Sequence, residues 1–274
     1  MVKETLTGRL SLGDGSAARE IAWIVRPAER PDAPGLVWLG GFRSDMAGSK
    51  ALALDAYGAE AGLAVTRFDY SGHGISGGDF KDGTISRWLE ESLAVFDEKT
   101  TGDQILVGSS MGGWIALLLA LALKKRNIDS RVKGLILIAP APDFTEKLMW
   151  DRFTGNIRAE ILANGFYAQP SEYSDEPYLI TRGLIEDGRT HLLLDAPINL
   201  GCQVHILQGR EDPDVPWQHA ERLIDRLLYD DVRLTYVRDG DHRLSRPQDL
   251  DLLKRVVAGM VDSVIEDRAG TAKR

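Results

Sequence analysis

The apolar run Ile105-Leu106-Val107 leads into Gly108-Ser109-Ser110-Met111-Gly112-Gly113, and ten uninterrupted apolar residues follow, from Trp114 to Leu123. No other feature of the chain restricts its fold as much. A strand with no polar face belongs inside a parallel sheet, buried on both sides. The apolar stretch directly behind it reads as a helix packed on that sheet. The residues between must turn sharply, and the glycines around Ser110 supply room where side chains would collide. Strand, tight turn and helix in this order lift Ser110 Oγ to the carboxyl edge of the sheet as a candidate nucleophile.

The rest of the chain follows the same pattern. Short apolar runs predict strands over 19–25, 35–39, 64–68, 104–108, 134–139, 203–208 and 232–237, and helical patterns lie between them at 50–61, 84–98, 111–123, 218–228 and 247–264. This alternation predicts an α/β fold with a mostly parallel central sheet flanked by helices. Residues 1–274 are read as a single domain, with one interruption. Over about 144–197 no strand pattern is visible and helical patterns prevail, which predicts a helical cap inserted between two strands, over their carboxyl ends.

Composition narrows the partners. The chain has 33 Lys+Arg against 41 Asp+Glu, a net charge of −8, and so would repel a phosphate backbone; no nucleic-acid partner is expected. Its one cysteine, Cys202, can form neither an internal disulfide nor a multi-cysteine metal site, which agrees with a reducing compartment. The first residues lack a signal-like or transit-like pattern, and ten apolar residues are about half of a membrane span. A cytoplasmic location without a membrane span is expected.

Gly-x-Ser-x-Gly occurs a second time, at Gly74-Ile75-Ser76-Gly77-Gly78. There the strand is separated from the motif by residues 69–73, and no helix opens behind it, so the context fails. The overlapping Gly72-His73-Gly74-Ile75-Ser76-Gly77 fails as a dinucleotide loop for the same reason. A nucleophilic serine needs a base and an acid to orient that base. Of five histidines, His205 lies within a strand, His219 on a helix, His191 in the insertion and His73 in the glycine loop. His242 follows the last strand, where a loop reaches the carboxyl edge. Asp212 and Asp214 both follow the preceding strand, and either can supply the acid. The N–H of Met111, next to the serine, and that of Phe42, after strand 35–39, are the expected oxyanion donors.

Leu39-Gly-Gly-Phe, Phe68-Asp-Tyr-Ser-Gly-His-Gly, Gly108-Ser-Ser-Met-Gly-Gly-Trp, Pro213-Asp-Val-Pro-Trp and Asp241-His-Arg together resemble the α/β-hydrolase family of mycophenolic acid acyl-glucuronide esterases and palmitoyl-protein thioesterases. Pro170-Ser-Glu-Tyr-Ser and Pro197-Ile-Asn-Leu-Gly-Cys extend the resemblance through the insertion. It implies an α/β-hydrolase fold with Ser110 as nucleophile, His242 as base and Asp212, within Gly-x-x-Asp-x-x-Val-Pro, as the acid. The chain departs from many α/β-hydrolases in having Gly40-Gly41 where His-Gly precedes the oxyanion residue.

The expected chemistry is serine hydrolysis of acyl esters, thioesters or acyl-glucuronides in a small-molecule or acylated substrate, with no metal or organic cofactor. Leu148, Met149, Trp150, Phe153, Phe166 and Tyr167 suit either an acyl group or packing of the cap; Trp150 and Phe153 are taken as candidate substrate contacts. Arg43, and beside the acid loop Arg210, are candidates to meet an anionic group. A hydrolase with a carboxylate nucleophile is opposed by the serine. Lyases and C–C hydrolases would share the triad, whereas a ligand receptor would have no need of it.

Overall fold

The computed structural model describes residues 4–170 and 177–271. In chain order its elements are β1 (Leu6–Leu12), β2 (Arg19–Arg26), β3 (Gly35–Leu39), α1 (Ser49–Ala61), β4 (Val65–Phe68), α2 (Ile85–Lys99), β5 (Gln104–Ser109), α3 (Met111–Lys125) and β6 (Val132–Ile138). Then come α4 (Gly155–Asn164), β7 (Phe166–Gln169), β8 (Tyr178–Thr181), α5 (Arg182–Gly188), β9 (Gln203–Gly209), α6 (Trp217–Ile224), β10 (Val232–Val237) and α7 (Pro247–Thr271).

Eight strands form one sheet in the order β1-β2-β4-β3-β5-β6-β9-β10. β1 and β2 pair antiparallel, as do β2 and β4; every other pairing is parallel. The continuous apolar runs are explained by burial on two faces. Val37, Leu39, Leu106, Leu135 and Leu137 point into one core, with residues of α2, α3 and α6. Leu36, Trp38, Ile105, Val107, Ile136 and Ile138 point into the other, with residues of α1 and α7. Period-two alternation therefore produces no polar stripe. β3 lies between β4 and β5, so the chain leaves it in one direction and returns on its other side. The connection after β3 runs to the α1 face and the one after β5 to the α3 face, so this is the point of the carboxyl edge where the winding of the sheet reverses.

Two features differ from the sequence expectation. β1 was not expected, because only Leu10 of its seven residues is buried and an edge strand of that kind leaves little pattern. The insertion between β6 and β9 is only partly helical. β7 and β8 form an antiparallel hairpin pairing Phe166 with Thr181 and Gln169 with Tyr178; two four-residue strands are too short to register a period. Within the Pro170-Ser-Glu-Tyr-Ser motif, residues 171–174 lie outside the described residues.

One carboxylate joins the two ends of this insertion. Asp143, fully buried and with φ +57°, accepts the Leu193 N–H on Oδ1 at 2.8 Å and the Leu194 N–H on Oδ2 at 2.9 Å. Burial raises its carboxyl above the usual range. Nearby, His219 Nε2 donates to the Pro142 carbonyl at 2.7 Å. Asp143→Ala would leave one buried and one half-buried N–H group without an acceptor, and its expected cost is about 3 kcal/mol, read by urea unfolding. Asp143→Asn, which keeps one acceptor oxygen, should cost less.

Candidate active site

Ser110 sits between β5 and α3 with φ +54° and ψ −118°, a conformation that costs free energy and is held by its surroundings. Its N–H donates to the Ile138 carbonyl at 2.9 Å, and its carbonyl accepts the N–H of Ala141 at 3.1 Å. A Cβ on Gly108 would come within 2.3 Å of the Gly112 carbonyl oxygen, and one on Gly112 within 2.0 Å of that of Leu39. Glycine is thus required on both sides of the serine.

Three loops meet over this turn. Ser110 Oγ lies 3.0 Å from His242 Nε2, and His242 Nδ1 lies 2.8 Å from Asp212 Oδ2. A carboxylate only accepts, so Nδ1 carries the ring proton and Nε2 is left to accept from the serine hydroxyl. The Asp212 side chain is fully buried. Its Oδ1 accepts the N–H groups of Asp214 at 2.9 Å and Val215 at 2.8 Å, and Gln208 Nε2 donates to Oδ2 at 3.3 Å. Of the two candidate acids, then, Asp212 faces the imidazole, while Asp214 is exposed and contributes its backbone to the same turn. Ligand atoms of Asp212, Asp214 and His242 converge within 4.8 Å, but both Asp212 oxygens are already engaged by N–H donors. The His242 loop is anchored from α1, where Lys50 Nζ donates to the Arg243 carbonyl and to Ser245 Oγ; burial pulls the Lys50 ammonium down to about 8.

Met111 is the first residue of α3, in the turn whose N–H groups have no acceptor within the helix. The loop after β3 lies beside it: a Cβ on Gly41 would be 3.4 Å from Ser110 Cβ. The Gly41 carbonyl accepts the Ser44 N–H at 3.0 Å, closing a four-residue turn with Phe42 and Arg43 at its centre. The Phe42 ring packs edge-on against Phe80, Phe144 and Tyr178, at 4.9, 5.7 and 6.2 Å. From the glycine loop after β4, Asp69 Oδ1 accepts the Met46 N–H at 2.7 Å, and His73 accepts the Arg43 N–H on Nε2 at 3.1 Å.

The other sequence candidates are engaged elsewhere. Ser76 Oγ donates to the Asp69 carbonyl at 2.6 Å and accepts the Ala22 N–H at 2.8 Å. His205 meets Thr235 Oγ1, and His191 Nε2 meets Ser86 Oγ at 2.6 Å. Arg43 is exposed, with its guanidinium 5.0 Å from both the Phe80 and Tyr178 rings. Arg210 lies over Trp217 at 4.2 Å. Trp150 and Phe153 pack in a small cap cluster around Ile161, Ile180 and Ile185 that also includes Phe42, so the cap's interior adjoins the β3 loop. Phe166 is exposed. Sequence reasoning did not single out Gln208 or Asp69, and gave His73 no role.

Residues 16–251 match the model of the alpha/beta hydrolase family. Palmitoyl-protein thioesterase ABHD10, mitochondrial, of Homo sapiens is 34% identical over 232 residues, which are 84% of this chain and 74% of that protein. The structure of alpha/beta hydrolase domain-containing protein 10 from mouse superposes with a TM-score of 0.82 at 32% identity, covering 94% of this chain and 99% of that one. A crystal structure of a protein from Agrobacterium vitis S4 reaches a TM-score of 0.92 at 53% identity, covering 94% of this chain and all of the other.

Proposed function

The chain belongs to the alpha/beta hydrolase family, and within it we propose a serine hydrolase that cleaves carboxylic esters or thioesters through an acyl-enzyme formed on Ser110. The observation that carries this reading is the hydrogen-bonded series from Ser110 Oγ to His242 to Asp212, at 3.0 and 2.8 Å, on a turn of unfavourable backbone conformation. Ser110 Oγ attacks the acyl carbonyl and its proton passes to His242 Nε2. Asp212 holds the imidazole by Nδ1 and stabilises the cation. The carbonyl oxygen gains negative charge at the amino end of α3, where the Met111 and Phe42 N–H groups are assigned as its donors. Collapse of the adduct breaks the bond to the alcohol or thiol, which takes the proton from His242. Water then loses a proton to the same nitrogen and attacks the acyl-enzyme; the acyl–Oγ bond breaks, Ser110 Oγ takes the proton back from His242, and the acid leaves.

The ABHD10 relative is named a palmitoyl-protein thioesterase, which supports an acylated substrate here. The acyl side is assigned to the cap, at Trp150 and Phe153. Arg43, exposed beside Phe42, is assigned to an anionic group on the substrate. The curated relatives are mitochondrial by name, whereas the sequence of this chain led to a cytoplasmic expectation. Among the described residues no helix is long and apolar enough to cross a membrane.

Rapid mixing with p-nitrophenyl butyrate is expected to release about one nitrophenolate per chain in a burst before steady turnover, as an accumulating acyl-enzyme requires. A parallel panel of short- and long-chain esters and acyl thioesters would rank the substrates. Turnover of none of them would overturn the hydrolase reading.

A further inference from the structure

In the Gly41–Ser44 turn the third residue, Arg43, has φ +55°, whereas Phe42 is not among the residues with positive φ. This is the pattern of a type II turn, whose third position ordinarily takes glycine or asparagine because other side chains are strained there. Rotating the Phe42–Arg43 peptide by about half a turn gives the type I form, in which arginine is comfortable. Something must therefore hold the strained form.

His73 occupies that place. It is 4% exposed and boxed by Tyr70, Phe80 and Trp88 at ring distances of 5.6, 5.2 and 5.2 Å. Its Nδ1 lies 3.1 Å from the Ser71 carbonyl, which can only accept, so Nδ1 bears the proton. Nε2 is consequently a fixed acceptor, 3.1 Å from the Arg43 N–H. In the rotated turn the Phe42 carbonyl would replace that N–H and set lone pair against lone pair. We infer that His73 is a positioning residue: by accepting the Arg43 N–H it docks the Gly41–Ser44 turn, in this form, against the glycine loop and so fixes the place of the preceding Gly41–Phe42 peptide, whose N–H is read as the oxyanion donor. The inference rests on the reading of Phe42 as an oxyanion donor. Burial pushes the imidazole down to about 4, so the acceptor persists at neutral pH.

Three variants test it. His73→Phe fills the box but removes both polar contacts. His73→Asn retains a donor near Ser71, and His73→Gln retains an acceptor near Arg43. With p-nitrophenyl butyrate, the Phe and Asn variants are expected to lose roughly 10²-fold in kcat with KM changed less than about 3-fold, as when one oxyanion donor is displaced. The Gln variant should recover to within about 10-fold of the parent. Hydrogen exchange of the Arg43 amide, followed in the same proteins, should speed up at least 10-fold in the Phe and Asn variants and be slowed again by Gln. Unchanged exchange in the Phe variant would overturn the inference, because the turn would not be held by His73. Faster exchange with kcat preserved would overturn it as well, because the turn would then not serve the chemistry. Equal kcat losses in all three variants, tracking their thermal midpoints, would reduce His73 to packing. If the parent itself hydrolyses no acyl ester, it is the hydrolase reading that fails, and the exchange measurement still decides whether His73 holds the turn.

Discussion

Ser110→Ala is expected to lower kcat on the order of 10⁶-fold while leaving the unfolding midpoint close to that of the parent. The size follows from the acyl-enzyme route: without Oγ there is no bond to form, and His242 and Asp212 have nothing to activate. Stability is spared because alanine keeps the Cβ that serine places at φ +54°, so the turn is neither relieved nor strained further. A fluorophosphonate should label the parent at Ser110 and nowhere else. Ser76, in the second Gly-x-Ser-x-Gly, should stay unlabelled because its hydroxyl is held by the Asp69 carbonyl and the Ala22 N–H. Substantial turnover by the alanine variant would remove Ser110 from the mechanism.

The second large effect concerns the acid. In Asp212→Asn the amide oxygen is drawn to the N–H groups of Asp214 and Val215, which now contact Oδ1. That turns the amide NH2 toward His242 Nδ1. Two donors cannot share that contact, so the imidazole adopts the other tautomer, with its proton on Nε2 facing Ser110. The serine hydroxyl then has no acceptor, and kcat should fall by roughly 10³–10⁴ with the fold retained. Asp214→Asn keeps its backbone N–H to Asp212 and should cost little activity and at most about 1–2 kcal/mol of stability. The reverse outcome, with Asp214→Asn inactive, would place the acid on the other side of Pro213.

These two carboxylates show how far the sequence could be read. Both follow β9, and both are aspartates, so local pattern left them equivalent until the family resemblance chose Asp212. In space they are separated by which one turns its oxygens inward to the backbone N–H groups of the loop. The central strands were legible for a different reason: Ile105-Leu-Val and Leu135-Ile-Leu-Ile are buried on both faces and leave an unbroken apolar signature. β1, with Leu10 alone buried, leaves almost none, and neither do the four-residue strands of the cap hairpin. The elbow was legible because its glycines are required within five residues. His73 and Asp143 were not, because their partners lie 30 and about 50 residues away. Spacing says nothing about a contact formed only when distant loops converge.

The clasp at Asp143 separates the cap's length from the sheet's architecture. Because one side chain fixes both ends of the insertion, β6 and β9 meet the same boundary whatever lies between Phe144 and Leu192. The closure entropy of such a loop grows only with the logarithm of its length. In the cap's loops, away from the cluster that holds Phe42, residues can therefore be inserted at small closure cost without moving the strand ends that carry Ser110, Asp212 and His242. The length of those loops is thus set independently of the Ser110–His242–Asp212 geometry.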